Sequence, residues 1–352
     1  MMGEPPFFVS PRQARKKLRE LIIRQAPRLP GVYGLIDGAG ELAYVGKAKS
    51  LRARLLSYFQ PGSSSKQGRI ARGTRRIAWE VCENELEALL REVVLIRRHR
   101  PAWNVQLQPK RQRRVFLCLG RGPAPHVFVA ARPPKTALRA FGPLLGQRKA
   151  REAAARLNDL FRLKDCPQKQ AMHYAGQAEM FPLDLLPGCL RHEIGSCMAP
   201  CAASCTAEEY QSGVDATLAF LSGEGPDLLA PIQAAMTEAA ARLEFERAAA
   251  LRARLSTLTW ASRQLARIRE ARRLSGVYTL AGRRGGPYLY VLRQGVVTSR
   301  LPFSAIEQAR SLVNASEGHH ASLHPELVDS VLIVGQWFRK HPEEMSRLLW
   351  RP

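Results

Sequence analysis

Hydrophobic and polar residues follow strand-like and helix-like spacings in the N-terminal part of the chain. Two short runs of β-branched and aromatic residues flank a glycine-rich turn, which predicts a β-hairpin. Farther on, leucine and valine recur at helical intervals on either side of a further predicted strand. The predicted strands cover residues 31–36, 42–45 and 77–82, and the predicted helices cover residues 51–59 and 85–98. The pattern therefore predicts a compact α/β domain over residues 26–108, preceded by a basic lead-in helix.

The remainder of the chain predicts several smaller regions. They are a connecting α/β region over 109–165 (strands at 115–119 and 127–130, a helix at 148–162), a cysteine-rich region over 166–205, a helical region over 206–272 and a short C-terminal region over 273–352 with strands around a glycine-rich turn. A length of 352 residues also favours more than one domain. The expected fold class is therefore α+β and multidomain.

An excess of basic residues indicates a polyanionic partner. The chain has 54 Lys and Arg against 30 Asp and Glu, a net charge of +24, and residues 1–114 alone hold 24 basic and 9 acidic residues. Clustered positive charge favours nucleic acid, because each phosphate contact releases condensed counterions. An arginine-rich surface without such a partner is the alternative, but it leaves the shortage of acids unexplained.

Long apolar segments are missing from the sequence. No stretch of about 18 uncharged apolar residues occurs, and the N-terminus lacks the apolar core of a signal peptide. We therefore expect no membrane partner and a cytoplasmic location.

Two tripeptides carry the most specific signal in the chain. Gly31-Val32-Tyr33 and Tyr44-Val45-Gly46 stand on the two strands of the predicted hairpin, with ten residues between the tyrosines. The pattern continues through 47–59, 85–92 and 95–104. In order, spacing and residue type, residues 31–104 resemble the GIY-YIG nuclease domain of UvrC-type excinucleases and Cho nucleases.

The resemblance implies a role for each residue of a catalytic constellation. Phosphodiester hydrolysis needs an activated water, a Lewis acid and stabilisation of charge at phosphorus. A single carboxylate with open coordination positions suits Mg²⁺ or Mn²⁺, which keep several water ligands. The resemblance implies Glu92 as metal ligand, Tyr33 as general base, Tyr44 as a group that places water or phosphate, Tyr58 as a phosphate contact and Asn104 as an organiser of the site. A phenol must be acidified by nearby cations or metal to act as a base, and Lys47 and Arg54 supply such charge. Arg54 also offers a planar fork to phosphate oxygens.

Blander interpretations stay open for several of these residues. Glu92 also fits a solvated helix glutamate, and Tyr58 fits ordinary core packing. Lys49 and Arg52 fit either phosphate contacts or a solvated face. The sequence departs from the family at Trp103, where Tyr or Phe is usual, and in the basic segment 108–115, where an acidic segment is usual.

Five of the seven cysteines fall between residues 166 and 205. Cys189, Cys197 and Cys201 have the spacing of a UvrC-type cysteine cluster, with Cys166 upstream and Cys205 as a spare thiol. The resemblance implies a 4Fe–4S cluster held by Cys166, Cys189, Cys197 and Cys201. All-cysteine ligation also suits zinc, and a site without metal is the third possibility.

Residues 236–258 resemble the UVR motif through which UvrC-type and UvrB-type proteins associate. Apolar residues recur there at helical spacing, with a break expected near 244–246. A two-helix hairpin buries little surface by itself, so its apolar side favours a partner. The resemblance implies a UvrB-like partner bound through Leu243, Phe245 and Leu251, and the alternative is an ordinary helix pair in the core.

Together these features predict a metal-dependent DNA endonuclease of nucleotide excision repair. The resemblance implies a single incision, 3′ to a lesion, in damaged or nicked duplex DNA. Too few residues follow the hairpin to build the second, RNase H-like nuclease of UvrC-type proteins, so one incision activity is expected. The alternatives are a non-catalytic regulator that binds DNA and UvrB, and a structure-specific GIY-YIG nuclease outside repair.

Overall fold

The structure is a computed structural model in which two compact units can be described. The described residues are 8–10, 12–60, 66–104, 114–166, 171–176, 189–282, 286–314, 328–345 and 347–350. One unit combines Met1–Gln112 with Glu270–Pro352, and the other is Arg113–Arg269. None of the helices in these ranges has the length and apolar character needed to cross a membrane.

A four-stranded antiparallel sheet forms the N-terminal part of the first unit, with strand order β1-β4-β2-β3. Its elements are β1 (Phe8–Val9), α1 (Arg15–Gln25), β2 (Gly31–Ile36), β3 (Leu42–Ala48), α2 (Leu51–Tyr58), α3 (Lys66–Gly73), β4 (Arg76–Val81) and α4 (Glu85–His99). The β-hairpin, the strand β4 and the helices α2 and α4 confirm the secondary structure predicted for this segment. β1 and α3 were not predicted.

The lead-in segment belongs to the core of this sheet domain. Leu18 and Ile22 of α1 are fully buried in the same cluster as Leu51 and Leu55 of α2. The predicted lead-in helix over residues 1–26 is therefore shorter in the structure, and it follows β1. The predicted domain start at residue 26 lies inside this packed core.

The C-terminal part of the first unit is a second antiparallel sheet, with strand order β10-β9-β8-β11. Its elements are β8 (Gly276–Ala281), β9 (Pro287–Arg293), β10 (Val296–Pro302), β11 (Leu348–Trp350), α10 (Ile306–Asn314), α11 (Val328–Lys340) and α12 (Pro342–Met345). Leu86 of α4 is buried in one cluster with Tyr278, Tyr290 and Trp337 of this part. The described part of the C-terminal region therefore packs on α4 of the predicted nuclease domain. The middle of the predicted turn, 283–285, lies outside the described residues.

The second unit joins a three-stranded sheet to a set of helices. Its elements are β5 (Arg114–Gly120), β6 (Val127–Ala130), β7 (Ala137–Leu145), α5 (Gln147–Leu160), α6 (Leu190–Glu193), α7 (Ala207–Ser222), α8 (Leu229–Ala241) and most of α9 (Phe245–Arg272). The strands are antiparallel in the order β6-β5-β7. β5, β6 and α5 confirm predicted elements, whereas β7 was not predicted.

The amide of Asn158 on α5 closes one edge of this sheet. Its Oδ1 accepts the Val127 N–H and its Nδ2 donates to the Val127 carbonyl, both at 2.9 Å. Asn158 is buried, so both backbone groups of an edge strand are satisfied away from water.

Helices α8 and α9 form a hairpin around the predicted break. The chain turns at residues 242–244, where Leu243 adopts a left-handed backbone with φ of 61°. Such a conformation is uncommon outside glycine, asparagine and aspartate and ends the first helix sharply.

Candidate active site

The β2–β3 hairpin brings two of the predicted tyrosines together. Tyr33 lies opposite Gly46 and Tyr44 lies opposite Leu35, so the tyrosines are diagonal neighbours with ring centres 6.2 Å apart. A side chain at Gly46 would place its Cβ 2.4 Å from the Tyr33 hydroxyl. Glycine is therefore required at this position, because the Tyr33 ring lies directly over its backbone.

Helix α2 adds a guanidinium and a third hydroxyl. Ser50 caps the helix through the Ala53 N–H. Arg54 and Tyr58 lie one turn apart, so they share a helix face. The Tyr33 hydroxyl donates to the Tyr58 hydroxyl at 3.1 Å and accepts the Arg54 Nε–H at 3.3 Å. The Arg54 guanidinium also lies 5.5 Å from the centre of the Tyr58 ring.

Helix α4 adds a carboxylate. Asn84 caps the helix through the Glu87 N–H. Glu92 lies mid-helix, and its Oε1 accepts the backbone N–H of Lys47 at 3.1 Å. Burial raises the pKa of Glu92, while the hydrogen bond from Lys47 and the charges of Lys47 and Arg54 oppose that rise. Glu92 is therefore a half-buried carboxylate bound to the strand β3, and not a freely solvated one.

Glu85 is a site residue that sequence reasoning missed. Its carboxylate binds the ammonium groups of Lys47 at 2.7 Å and Lys49 at 3.1 Å. Burial opposes its ionisation, but the two lysines hold the pKa of Glu85 below its usual value. Its position seven residues before Glu92, two helical turns on one face, was the available signal. Lys47 was expected to acidify Tyr33, yet its ammonium is paired with Glu85.

Arg52 has a hydrogen-bond partner inside the domain. Its Nε donates to the Ala26 carbonyl at 2.6 Å, at the end of α1. This contact occupies one of the five N–H donors of Arg52, and the interpretation of Arg52 as a phosphate contact stays a prediction. Lys49 is mostly exposed and reaches Glu85.

Burial controls the protonation of the three tyrosines. It raises the pKa of Tyr33 to about 12, although Tyr58 and Arg54 act against the rise. Burial also raises the pKa values of Tyr44 and Tyr58. Sequence reasoning expected nearby cations to acidify a phenol; in this structure the desolvation of the phenol outweighs the effect of Arg54. All three hydroxyls are therefore protonated at neutral pH.

Asn104 lies next to the site and organises the strand β3. Its Oδ1 accepts the Val45 N–H at 2.8 Å and its Nδ2 donates to the Val45 carbonyl at 2.7 Å. The side chain is buried. Trp103, the departure from the family pattern, packs against the domain core, with the Arg69 guanidinium 5.8 Å from its ring centre. The larger aromatic is thus accommodated without displacing Asn104.

An open cavity of about 680 Å³ joins these elements. Its charged and hydroxyl-bearing lining residues are Tyr33, Tyr44, Lys47, Lys49, Ser50, Arg54, Ser57, Glu85 and Glu92. Five of the seven predicted catalytic residues line it, whereas Tyr58 and Asn104 lie behind it. No group of three His, Cys, Asp or Glu side chains within the described ranges is placed to hold a metal ion. The cavity is therefore lined by two carboxylates, those of Glu85 and Glu92, and has room for water.

The opposite face of α4 is tied to the C-terminal sheet. Tyr290 donates to Glu87 Oε1 at 2.8 Å and accepts from Asn84 Nδ2 at 2.8 Å. Arg300 Nη1 donates to both Glu87 oxygens, at 2.9 and 3.2 Å. The cap of the helix that carries Glu92 is therefore held by residues more than two hundred positions away in the sequence.

The cysteine-rich region places several thiols within electrostatic reach of one another. Burial raises the pKa of Cys197, and the charges of Cys189, Cys201 and Cys166 raise it further. The Ala199 N–H donates to the Cys197 sulfur at 3.3 Å. Cys205 is buried, whereas Cys189 is exposed. Residues 167–170 and 177–188 lie outside the described residues.

The three predicted partner-binding residues lie around the α8–α9 turn. Leu243 is 70% exposed and Phe245 is 68% exposed, while Leu251 is half-buried. Two large apolar side chains are thus presented to solvent at the tip of the hairpin.

Comparison with known proteins gives three consecutive family matches. Residues 29–105 match the UvrC-like GIY-YIG domain, residues 115–220 match the middle domain of UvrC/Cho excinucleases, and residues 227–258 match the UvrB/UvrC motif.

Similar individual proteins share the name UvrABC system protein C. The protein of Desulforudis audaxviator is 32% identical over 280 residues, which cover 79% of this chain and 44% of that protein. The protein of Thermus thermophilus is 37% identical over 232 residues, covering 66% of this chain and 37% of that protein. The chain thus spans less than half the length of these relatives.

A solved structure is similar to the first of the matched segments. It is the N-terminal GIY-YIG endonuclease domain of UvrC from Thermotoga maritima, bound to its catalytic magnesium. The identity is 39%, the match covers 25% of this chain and 97% of that domain, and the TM-score is 0.23. Taken with the three family matches, the sequence similarity shows that this chain is UvrC-like over residues 29–258, with a GIY-YIG domain, a middle domain and a UVR motif in succession.

Proposed function

We propose that this protein is a divalent-metal-dependent DNA endonuclease of nucleotide excision repair. The observation that carries the proposal is the convergence of Tyr33, Tyr44, Arg54 and Glu92 on one open cavity. A regulator that only bound DNA would need basic residues, but it would not need buried hydroxyls and a carboxylate at the same place. The cavity is open and flanked by Lys47 and Lys49, which suits a charged backbone as substrate.

The metal would be held by Glu92 together with water. The Glu92 carboxylate has one backbone donor, from Lys47, and faces a cavity with room for several waters. Mg²⁺ is commonly bound through one or two carboxylates plus water and phosphate oxygens, so the donor set fits Mg²⁺ or Mn²⁺. Such an ion supplies a Lewis acid to the phosphate oxygens.

The side chains around the cavity would then have separate roles in the hydrolysis. Arg54 lines the cavity and offers its guanidinium to a non-bridging phosphate oxygen, where negative charge develops. Tyr33 takes the proton of the attacking water after its phenol has released its own proton to water in the open cavity. The hydrogen bond to Tyr58 directs that proton away from Arg54. Tyr44 positions the water or the phosphate, and Asn104 holds the strand that carries Tyr44.

Replacement of Glu92 tests the metal site. Glu92→Gln keeps the shape but removes the charge, so cleavage should fall by about 10²-fold or more while DNA affinity changes little. Cleavage, gel shift and Mn²⁺ binding are measured in parallel. The control is Glu307→Gln, at an exposed glutamate paired with Arg310. A Glu92→Gln enzyme with normal cleavage and normal Mn²⁺ affinity would rule out this metal ligand.

The pH dependence tests the assignment of Tyr33. Its pKa of about 12 keeps the phenol protonated, so the cleavage rate should keep rising with pH through the neutral range. On the acid side, burial raises the pKa of Glu92, so metal binding should be lost as the pH falls through that raised value.

The Tyr33→Phe variant completes that test. It should abolish the pH-dependent cleavage, whereas Tyr210→Phe, which also loses a buried hydroxyl, should keep it. If Tyr33→Phe cleaves with the original profile, another group is the base. Circular dichroism of both variants checks that the fold is retained.

We assign the substrate and partner from the domain succession and from the exposed hairpin tip. The substrate is damaged or nicked duplex DNA, cut once on the 3′ side of the lesion, and the partner is a UvrB-like protein. The exposure of Leu243 and Phe245 supports a partner at the α8–α9 turn, because exposed apolar side chains of this size mark interaction surfaces when they cluster. A structure-specific nuclease that acts outside repair would not need an exposed apolar tip for a protein partner.

Phe245→Ala should weaken recruitment by the UvrB-like partner. One hairpin offers a small apolar face, so affinity should be about micromolar and should depend on this aromatic anchor. Incision of lesion DNA with the partner should fall, while cleavage of a nicked duplex without it should persist. Phe303→Ala, at another exposed phenylalanine, is the control. Equal loss in both variants, or in neither, would place recruitment elsewhere.

For the cysteine-rich region we propose a 4Fe–4S cluster held by Cys166, Cys189, Cys197 and Cys201. The support is electrostatic: the charges of Cys189, Cys201 and Cys166 all raise the pKa of Cys197. No three of these thiols are arranged as ligands of one metal ion in the described residues, so cluster binding would have to draw them together. The four cysteines lack the two CxxC pairs of common zinc knuckles, which favours an iron–sulfur cluster over zinc. Such a cluster would stabilise this segment, because metal binding contributes directly to folding.

Purification without oxygen tests this cluster. The protein should be brown, with broad absorption near the boundary of visible and ultraviolet light and bound iron and sulfide. Cys197→Ala should lose colour and iron and lower solubility, whereas Cys118→Ala, at a buried isolated cysteine, should keep both. One zinc and no iron per chain would assign the site to zinc.

A further inference from the structure

A basic groove runs along the second half of the helical hairpin, away from its exposed tip. It has a volume of about 480 Å³ and lies along α9, with Arg252, Arg263 and Arg267 among its lining residues. All three arginines are exposed, and no described residue forms an ion pair with them. The UVR match ends at residue 258, so two of the three arginines lie beyond it.

Helix geometry places these arginines in one row. Residues 252, 263 and 267 fall within about 60° of one another around the helix axis, and the row is about 22 Å long. Ser256 and Thr259 lie on the same face and add hydroxyl groups between the arginines. The row is therefore a straight and rigid line of hydrogen-bond donors.

The charge of this segment is of a single sign. Residues 247–269 contain six arginines and no Asp or Glu. Two of the six have internal partners: Arg247 pairs with Glu244, and Arg269 donates to the Leu221 carbonyl. A helix face that serves only for solubility normally mixes both signs of charge. The row of Arg252, Arg263 and Arg267 instead favours a ligand with regularly repeated negative charge.

We propose that the arginine row binds the phosphate backbone of duplex DNA. Arginine, serine and threonine are the side chains that commonly contact phosphate oxygens. A rigid row of about 22 Å matches several phosphates along one strand of a duplex. Trp260 also lines the groove but is partly buried, so it is a poor stacking platform for single-stranded bases. Duplex DNA is therefore favoured over a single strand.

In the proposed nuclease, three separate surfaces of the protein then have three different tasks. The cavity of Glu92 cleaves, the tip at Phe245 binds the protein partner, and the arginine row adds affinity for the duplex. The assignment of the row to DNA rests on the proposed function only in taking DNA as the substrate. Binding of DNA by the row does not require that the cavity cleaves.

The test is the salt dependence of DNA binding by the full chain. The triple variant Arg252→Gln, Arg263→Gln, Arg267→Gln is made in a Glu92→Gln background and measured without divalent metal, so that little DNA is cut during the measurement. Binding to an intact duplex of about 30 base pairs is followed by fluorescence anisotropy over a range of salt concentrations. If the three arginines contact phosphates, the slope of log K against log salt should fall by about 2.7.

A matched triple variant controls for net charge. Arg148→Gln, Arg310→Gln and Arg339→Gln remove the same charge from arginines that are paired with glutamates. This variant should keep the slope of the parent. A third variant, with lysine at 252, 263 and 267, should restore most of the lost slope, which also shows that the fold is intact.

Three outcomes would overturn the proposal. The first is a groove variant with the slope of the parent or of the control. The second is a loss of binding to a single strand but not to the duplex. The third is unchanged duplex binding with reduced affinity for the UvrB-like partner, which would assign the groove to an acidic protein surface. Binding to the duplex, to a single strand and to the partner can all be measured even if the chain cleaves no DNA. A failure of this proposal can therefore be told apart from a failure of the proposed nuclease activity.

Discussion

The position of α4 is the constraint on which the site depends. One side of this helix presents Glu92 to the Lys47 N–H and to the cavity. The other side buries Leu86 against the C-terminal sheet and ties Glu87 to Tyr290 and Arg300. A rotation of the helix that moved the carboxylate would therefore break apolar packing and charged hydrogen bonds at the same time. Tyr290 also binds Asn84, so the C-terminal sheet contacts the cap at which the helix starts.

Buried aromatic hydroxyls and charged side chains lie close together at the cavity. Three tyrosine rings meet with centres 5.8 to 6.2 Å apart, and their burial raises the pKa values of the three hydroxyls. Arg54 donates to the Tyr33 oxygen at 3.3 Å and partly offsets the effect of burial on the pKa of Tyr33. Glu85 pairs with both Lys47 and Lys49 and offsets one of their two positive charges, so the three groups together contribute one net positive charge. A phosphate entering the cavity would compete with Glu85 for both ammonium groups.

Local patterns predicted the hairpin, α2, α4 and the residues they carry, because strand alternation and helical spacing are properties of short segments. Partners distant in sequence were not predictable in this way. The pairing of Lys47 with Glu85 and the contact between Arg52 and Ala26 depend on how the elements pack. The packing of the described C-terminal region on α4 likewise has no signal in either segment alone. β1 was missed because two residues are too few for a period to show.

In both units, the side chain of an asparagine forms hydrogen bonds with the backbone of an edge strand. β3 and β6 each lie at the edge of their sheet, where backbone groups lack a neighbouring strand. Asn104 bonds the N–H and carbonyl of Val45 on β3, and Asn158 bonds those of Val127 on β6. A side-chain amide carries one acceptor and two donors, so a single residue can replace a strand partner at one position. Asn104 therefore acts on the cavity indirectly: it bonds to the outer edge of the strand that carries Tyr44, while the side chains that line the cavity come from other positions.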